Sequence, residues 1–243
     1  MALQSFDAPI HAAIFGMGGI GQAFAHHLAG DPAVEGVHCF SSRELTSKDK
    51  ITAHHYDPHD ESSIAQAVSS IADTPINLAI VTIGTLHGDA FGPEKAMRDL
   101  DSDTFLKLMQ INALIPALIG KHLLPHFKKR DRAIFAALSA RVGSISDNRL
   151  GGWHSYRASK AALNQLVRNM AIEIGHRNDN GIAVTLHPGT VDTGLSAPFQ
   201  KHVPEGKLFT PDYSAGEMLK VIDGLTPDDS GKCFDYAGKP VIP

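Results

Sequence analysis

Two side chains that could carry out acid–base chemistry, Tyr156 and Lys160, lie four residues apart in the segment SYRASKAALNQL, residues 155–166. In an α-helix this spacing places both on one face. A phenol with a pKa of about 10 is a poor acid at neutral pH, but a nearby ammonium group stabilises the phenolate and lowers that pKa. Tyr156 could then donate a proton to a carbonyl oxygen as hydride reaches the carbonyl carbon. The spacing also arises by accident, so its context must decide.

A glycine-rich segment near the start of the chain, IFGMGGIGQAFA at residues 14–25, follows a short apolar run. Gly16, Gly18 and Gly21 match G-x-G-x-x-G, the turn by which a strand enters a helix whose N-terminal amides bind a dinucleotide pyrophosphate. An ordinary tight turn is the alternative, because glycines also collect there.

Residues after two further apolar runs indicate which dinucleotide would bind. Ser42 and Arg43 stand where an NAD-binding fold usually places an acidic residue, and an arginine there accommodates the 2′-phosphate of NADP. This favours NADP(H), with NAD(H) possible, whereas a solvated Arg43 beside Glu44 is the alternative. Asp57 could accept a hydrogen bond from the adenine amino group, or it could simply begin the turn at residues 57–60.

The alternation of apolar runs with helical patterns indicates how the chain brings these residues together. The predicted strands cover residues 11–15, 36–41, 51–56, 76–82, 132–138, 182–187 and 232–236. The predicted helices cover residues 20–29, 61–72, 103–128, 153–177 and 212–224. Strands that alternate with helices imply parallel strands joined by right-handed crossovers. We therefore predict an α/β protein with one domain over residues 1–243: a doubly wound Rossmann fold with a seven-stranded parallel sheet, helices on both faces, and ligands at the carboxyl ends of the strands.

The composition excludes several classes of function. A chain of 243 residues, 43% hydrophobic and 20% charged, is typical of one globular domain, and its net charge of −4 offers no basic surface for a nucleic acid. Cys39 and Cys233 lie far apart and are predicted to be two thiols. The first residues do not resemble a signal peptide, and no stretch approaches the ~18 apolar residues of a membrane span. We expect a cytoplasmic protein that binds no membrane, and we predict no metal site.

Over essentially its whole length the chain resembles the short-chain dehydrogenase/reductase family. The segments SARVGSI at 139–145, LHPGTVDTGLSAPF at 186–199 and DSGKCFDYAGKPVIP at 229–243 resemble its C-factor group, named for a cell–cell signalling protein. The resemblance implies that Tyr156 is the general acid/base, that Lys160 lowers its pKa and binds the nicotinamide ribose, and that Asn112 is the family's helix asparagine. It also implies cofactor contacts by Gly16, Met17, Gly19, Ile20, Gly21, Gly84, Pro188, Gly189, Val191 and Thr193.

A proline near Asn112 has a physical interpretation of its own. Pro116 has no N–H, so it leaves the Asn112 carbonyl oxygen without its usual helical partner. That oxygen could hold a water molecule, and in the family such a water continues a proton relay from the lysine to solvent. A simple helix kink relieved by solvent is the alternative.

Three positions depart from the family pattern. The first glycine of the usual G-x-x-x-G-x-G falls on Phe15, and we expect Gly16 to take over its role. The usual Asn-Asn-Ala-Gly after the fourth strand is VTIG at residues 81–84, which predicts weaker hydrogen bonding at that strand end.

The third departure concerns a serine that steadies the substrate oxygen in the family, because its position falls on Ala140. Ser139 lies one residue earlier and could replace it only if the strand ends or bulges there, since neighbouring side chains on an extended strand point to opposite faces. Ser139 therefore joins the candidate catalytic residues, and Ser144 and Ser146 are more distant alternatives.

Two functions fit these residues. The first is an NADP-preferring oxidoreductase that interconverts a small-molecule carbonyl and an alcohol, and the second is a dinucleotide-binding signalling or regulatory protein of C-factor type with little or no catalysis. Tyr156, Lys160 and Asn112 together favour the enzyme, because a binding module has little use for an acidic phenol. By resemblance we expect a homodimer or homotetramer. Five apolar loop residues either line a substrate pocket or pack beneath the loops: Leu86, Phe91, Leu195, Phe199 and Phe209.

Overall fold

The computed structural model of the protein describes residues 3–6 and 9–243. Its strands are β1 (Ile10–Phe15), β2 (Val34–Ser41), β3 (Ile51–His55), β4 (Ile76–Val81), β5 (Ala133–Leu138), β6 (Gly181–His187), β7 (Thr190–Val191), β8 (Leu208–Phe209), β9 (Cys233–Asp235) and β10 (Pro240–Val241). Its α-helices are α1 (Gly19–Ala29), α2 (Glu61–Ser69), α3 (Ser102–Met109), α4 (Ile115–Leu123), α5 (His154–Gly175) and α6 (Pro211–Gly224). No helix among these residues is both long and apolar enough to cross a membrane.

Eight strands form the central sheet in the order β10-β9-β6-β5-β4-β1-β2-β3, and β7 pairs with β8 in a separate two-stranded sheet. From β1 the chain proceeds to β2 and β3 on one side and to β4 on the other. The strand order therefore reverses between β1 and β4, and ligands of such folds bind at the carboxyl ends of these strands.

The core has two layers because the side chains of each buried strand alternate between the two faces of the sheet. In β5, Ile134 and Ala136 pack toward α1 and α6, whereas Phe135 and Ala137 pack toward α2, α4 and α5. Helices thus cover both faces, which confirms the predicted α/β class and the doubly wound arrangement.

The predicted strand count is wrong: the sheet has eight strands rather than seven, and it is not wholly parallel. All seven predicted strands are present, with ends that differ by one or two residues. The eighth strand, β10, pairs antiparallel with β9 through only two residues, one of them Pro240. A two-residue strand that contains proline carries no sequence periodicity by which it could be predicted.

The prediction of one helix over residues 103–128 is also wrong, because α3 and α4 are separated by a π-helical turn at Gln110–Leu114. Within this turn the Ile115 N–H donates to the carbonyl oxygen of Gln110, five residues earlier. Pro116 provides the physical reason, since it has no N–H for Asn112 and its ring crowds the preceding turn. The interruption lies at the candidate asparagine.

Candidate active site

Tyr156 and Lys160 lie on the buried face of α5 and open into one cavity of about 410 Å³. Tyr156 is 6% exposed and Lys160 is 3% exposed. Lys160 Nζ donates a hydrogen bond to the Leu138 carbonyl oxygen at 2.8 Å and lies 5.9 Å from the centre of the Tyr156 ring. The two side chains therefore share one helical face, as their spacing predicts.

Burial controls the ionisation of both groups in this structure. It raises the pKa of Tyr156 above its usual value and lowers the pKa of Lys160 to about 8, because an apolar environment penalises the charged form of each. The expected lowering of the Tyr156 pKa by the ammonium is thus outweighed here, and Lys160 hydrogen-bonds to the end of β5 instead. At neutral pH the site holds a neutral phenol beside a mostly charged lysine.

Asn112 ties the segment that follows β4 to α5. Its side chain is fully buried; Oδ1 accepts from the Thr85 N–H at 2.7 Å, and Nδ2 donates to the Thr85 carbonyl oxygen and to Ser159 Oγ, both at 2.9 Å. The π-helical turn lets Asn112 face both partners from between α3 and α4. Its amide therefore braces the site, while a water on its backbone carbonyl stays a prediction.

Gly84 provides the space in which Lys160 and Asn112 meet. An added Cβ at Gly84 would lie 3.3 Å from Lys160 Nζ and 3.4 Å from Asn112 Oδ1. Most Cβ atoms in proteins keep a longer distance than this from neighbouring atoms. A side chain at position 84 would therefore displace these two side chains by a few tenths of an ångström, so the glycine that the chain retains from the family pattern suits their close approach.

The glycine turn after β1 is fixed by backbone contacts at the carboxyl ends of β1 and β4. Gly16 has a φ of +97°, and an added Cβ at Gly21 would lie only 2.0 Å from the Gly16 carbonyl oxygen. Thr82 Oγ1 donates to that same oxygen at 2.6 Å. The threonine hydroxyl thus supplies one hydrogen bond after β4, and the expectation of weaker hydrogen bonding at this strand end stays a prediction.

The N-terminus of α1 opens toward the cavity. Its N-cap residue, Gly18, has no side chain to occupy the first amides, and the first turn contains no acidic residue. Among the described residues, no atom comes within 4 Å of an added Cβ at Gly18. Ile20 lines the cavity, and the Met17 carbonyl oxygen accepts from Gln22 Nε2 at 3.1 Å. Unoccupied helix amides beside open space could hold a phosphate.

The residues proposed to contact the adenosine part of a dinucleotide are exposed. Ser42 and Arg43 follow β2, and Ser41 Oγ accepts from the Arg43 N–H at 2.9 Å, which fixes the backbone there. In the part of the chain that the structure describes, the Arg43 guanidinium forms no ion pair, with Glu44 or any other carboxylate. Asp57 Oδ1 accepts from the His59 N–H at 2.8 Å, so it does begin a turn, and its adenine contact stays a prediction.

The segment after β6 approaches the glycine turn from the other side. Gly189 has a φ of +79°, and the Pro188 carbonyl oxygen accepts from Ser214 Oγ at 2.7 Å. The Thr193 methyl group lies 3.2 Å from an added Cβ at Gly19. Val191 and Thr193 both line the cavity, so this segment forms one wall of the cleft.

Ser139 continues the pairing of β5 with β6, since its N–H donates to the Leu186 carbonyl oxygen at 2.8 Å. It is 4% exposed, and its hydroxyl has no partner among the described residues, Tyr156 included. Ser139 and Ala140 both line the cavity. Ser144 accepts from a loop amide and Ser146 donates to the Pro243 carbonyl oxygen, so Ser139 is the serine in the cleft whose hydroxyl is available.

The end of the cavity beyond Tyr156 is apolar. Of the five apolar loop residues, Leu86, Leu195 and Phe199 line it, whereas Phe91 and Phe209 pack beneath the loops. The predicted apolar pocket and the predicted satellite packing are thus each right for part of the set.

Comparisons with known proteins identify the chain. Residues 11–204 match the family model described as short chain dehydrogenase. The chain belongs to the short chain dehydrogenase family. The protein named C-signal of Myxococcus xanthus is 38% identical over 146 residues, which are 60% of this chain and 82% of that protein. The 1-hydroxy-2-glutathionyl-2-methyl-3-butene dehydrogenase of a Rhodococcus species is 36% identical over 134 residues, which cover 55% of this chain and 56% of that enzyme.

Solved structures of two carbonyl reductases share the fold. The NADPH-bound carbonyl reductase from chicken fatty liver has a TM-score of 0.81 at 24% identity, with 98% of this chain and 96% of that chain covered. The carbonyl reductase Sniffer of D. melanogaster has a TM-score of 0.82 at 19% identity, with 97% and 100% covered. The likeness extends over nearly the whole chain, which supports the single-domain Rossmann architecture.

Trp153 and His187 are among the cavity residues that sequence reasoning did not single out. The ring of Trp153 lies 6.2 Å from that of Tyr156 and 5.2 Å from that of Phe199, although the sequence indicated only a helix start there. His187 ends β6; burial lowers its pKa to about 4, and its Nδ1 has no hydrogen-bond partner within residues 3–6 and 9–243. The position of His187 at the carboxyl end of a strand, before Pro188, is the signal that could have identified it.

Proposed function

We propose that this protein is an NADP-preferring oxidoreductase that reduces a carbonyl group to an alcohol and catalyses the reverse reaction, with Tyr156 as the general acid/base. One observation carries the proposal: Tyr156 and Lys160 open into the same cavity as Ile20 of the glycine turn and the Pro188–Gly189 segment. Tyr156, Lys160 and a residue from the glycine turn therefore line one cavity, which supports a proton donor and a dinucleotide acting in the same cleft.

The residues present fit a nicotinamide dinucleotide. The uncapped amides of α1 beside Gly18 would receive the pyrophosphate, Arg43 would meet the 2′-phosphate, and Lys160 would hydrogen-bond the nicotinamide ribose. When bound in reduced form, the dinucleotide supplies hydride to the carbonyl carbon. NADPH in the related chicken carbonyl reductase supports the same class of cofactor here.

Proton transfer follows from the ionisation of the buried pair. Because burial keeps Tyr156 neutral, its hydroxyl is ready to give a proton to the carbonyl oxygen, so that the phenol O–H bond breaks as the alcohol O–H bond forms. The Lys160 ammonium stabilises the resulting phenolate. The neutral phenol is the form that donates the proton during reduction.

The oxygen of the substrate needs a further hydrogen-bond donor, and the unpartnered Ser139 hydroxyl is the candidate. Trp153, Phe199 and Leu86 surround the remaining space. These walls suit an aldehyde or ketone whose substituent is flat and apolar.

The test is to titrate NADPH and to screen aromatic and aliphatic aldehydes and ketones by the loss of NADPH absorbance. We expect turnover by the unmodified protein, and a kcat about 10²–10⁴-fold lower in Tyr156→Phe with NADPH affinity nearly unchanged. Tyr213→Phe is the matched control, because that exposed tyrosine on α6 does not line the cavity. Full activity of Tyr156→Phe on a proven substrate would show that another group donates the proton.

A second candidate function is a dinucleotide-binding signalling protein with little catalysis. It is supported by the 38% identity to C-signal and by Ala140 in the place of the family's serine. Tight NADPH binding without turnover on any carbonyl of the screen is the outcome that favours it.

A further inference from the structure

A buried carboxylate on the segment between β4 and α3 contacts the first turn of α5. Glu94 is 6% exposed, and both of its carboxylate oxygens lie 3.3 Å from the Ser155 N–H, while Oε1 also accepts from Ser155 Oγ. The N-cap residue of α5 is Trp153, whose indole has no oxygen with which to accept a hydrogen bond. Glu94 therefore performs, from 61 residues away in the chain, the task of a helix cap.

The backbone of Glu94 also holds the turn that leads into α5. Its carbonyl oxygen accepts from the Trp153 N–H at 2.6 Å and lies 3.3 Å from an added Cβ at Gly152. Gly151, Gly152 and Trp153 have φ angles of +65°, +64° and +53°. Such a conformation is unfavourable for a large aromatic residue and persists only when surrounding contacts impose it. The Glu94 main chain supplies one of these contacts, and its side chain holds Ser155, two residues beyond Trp153.

The turn and the cap together set the position of two residues in the cleft. Ser155, which Glu94 binds, directly precedes Tyr156. Trp153, which Glu94 also binds, packs its ring edge-on against Tyr156 and forms the apolar wall with Phe199. A displacement of about 1 Å at a reacting group can lower a rate about 10²-fold.

We propose that Glu94 is a positioning residue, a remote cap of α5 that places Tyr156 for proton transfer and holds Trp153 as a wall of the cavity. The catalytic half of this statement rests on the proposed reductase function. The half that concerns Trp153 does not, and it can be measured without any substrate.

Asp31 provides a matched control for a merely structural role. It is 3% exposed and, like Glu94, accepts from two groups at the start of other segments, the N–H groups of Leu3 and Ala33, both at 2.9 Å. It follows α1 and precedes the amino end of β2, whereas the cavity lies at the carboxyl ends of the strands. Replacing either carboxylate by an amide removes a buried charge that accepts backbone hydrogen bonds, but only Glu94 contacts α5.

The experiment compares Glu94→Gln, Glu94→Ala and Asp31→Asn in the full chain, at a temperature at which circular dichroism shows each to be folded. Trp153 is the only tryptophan, so its fluorescence reports on the turn directly. We expect greater quenching of Trp153 by acrylamide in both Glu94 variants, larger in Glu94→Ala, and a kcat lower by about tenfold in Glu94→Gln and about 10²-fold in Glu94→Ala. The NADPH affinity of all three variants should match that of the unmodified protein. Asp31→Asn should also match it in Trp153 quenching and in kcat.

Unchanged Trp153 quenching in both Glu94 variants would overturn the proposal, as would equal changes in Asp31→Asn and Glu94→Gln. If the Glu94 variants do not fold, Ser155→Ala decides, because it removes one donor to Glu94 and keeps the backbone N–H; the proposal then requires a smaller rise in quenching, and no rise contradicts it. If no carbonyl is reduced by the unmodified protein, the proposed function fails, whereas the Trp153 comparison still supports or overturns the positioning role.

Discussion

The two ends of the cleft are built in different ways. At the end formed after β1 and β2, a ligand would meet backbone amides, glycines and the exposed Arg43. At the end formed by α5, it would meet buried side chains that hold one another, with Asn112 bonded to Thr85 and Ser159 and Lys160 bonded to Leu138. The first end is open before any ligand binds, and the second is braced.

This difference indicates how substitutions should behave. Groups that are exposed and separate act independently, so a change at Arg43 should alter affinity alone. Groups that share hydrogen bonds are coupled, so a change at the braced end should alter the rate and the neighbouring contacts together. The following predictions test that contrast.

After Tyr156, the largest effect is expected for Ser139, which lines the same cavity. If its unpartnered hydroxyl steadies the substrate oxygen, Ser139→Ala should lower kcat by about 10²–10³-fold, or about 2.7–4 kcal/mol, with little change in NADPH affinity. Steady-state kinetics on a substrate from the screen measure this. If instead the Ser139 hydroxyl does not reach the substrate oxygen, the opposite result is expected. Ser139→Ala would then barely change turnover, and Ala140→Ser would raise it by supplying a hydroxyl at the family's position. A donor elsewhere is indicated if neither substitution matters.

Arg43, at the open end, should govern cofactor choice. Loss of its charge-assisted bonds to a 2′-phosphate should weaken NADPH binding by about 1.5–3 kcal/mol, roughly 10- to 150-fold, and leave NADH binding and kcat unchanged. Titration of Arg43→Ala with both dinucleotides checks this, with Arg149→Ala as a control at an exposed arginine that does not line the cavity. Equal NADPH and NADH affinities in the unmodified protein contradict the assignment at once.

Alanine substitutions at two glycines of the same turn should have different effects, one on stability and the other on NADPH affinity. A Cβ at Gly21 would overlap the Gly16 carbonyl oxygen, so Gly21→Ala should lower stability by about 1–3 kcal/mol or more. A Cβ at Gly18 meets no described atom within 4 Å, so Gly18→Ala should keep its melting temperature but bind NADPH several-fold less tightly, because the methyl group occupies the phosphate side of the turn. Unaltered NADPH affinity in Gly18→Ala would place the pyrophosphate elsewhere.

Lys160 is proposed to act at both ends of the cleft, on the Tyr156 phenolate and on the nicotinamide ribose. Its ribose contact should make NADPH affinity depend on pH. Its pKa of about 8 means that it carries its charge below that pH and loses it above, so NADPH affinity should be constant below pH 8 and fall by up to about tenfold per pH unit above it. Burial also raises the pKa of the nearby Cys233 thiol. Lys160→Ala should bind weakly at every pH with no such fall. A flat profile in the unmodified protein argues against a ribose contact by the charged lysine.

The parts that could be predicted from the sequence are those with local signatures. Tyr156 with Lys160, the glycine turn and the positions of seven strands follow from spacings of a few residues and from periodicity. Glu94 could not be predicted, because its partner Ser155 lies 61 residues away and only the folded chain brings them together. The role of Trp153 could not be predicted for a related reason. Its left-handed backbone conformation depends on contacts with Glu94 and is not one that a tryptophan prefers.

The π-helical turn lies between these cases. Pro116 predicted a disturbed helix at Asn112, because it leaves the Asn112 carbonyl without a helical N–H partner. The sequence alone does not distinguish a kink from a π-helical turn as the response to that missing N–H. The contacts of the Asn112 amide with Thr85 and Ser159 are the tertiary context in which the wider turn occurs.

The short antiparallel strand β10 has a consequence for how the protein behaves at high concentration. A long parallel strand at the border of a sheet presents a ladder of unpaired N–H and C=O groups on which another chain can assemble, and this is a route to fibrous aggregation. Here the border beside β9 is covered by two residues, of which Pro240 has no N–H to offer. This border is therefore a poor template for sheet growth from one molecule to the next.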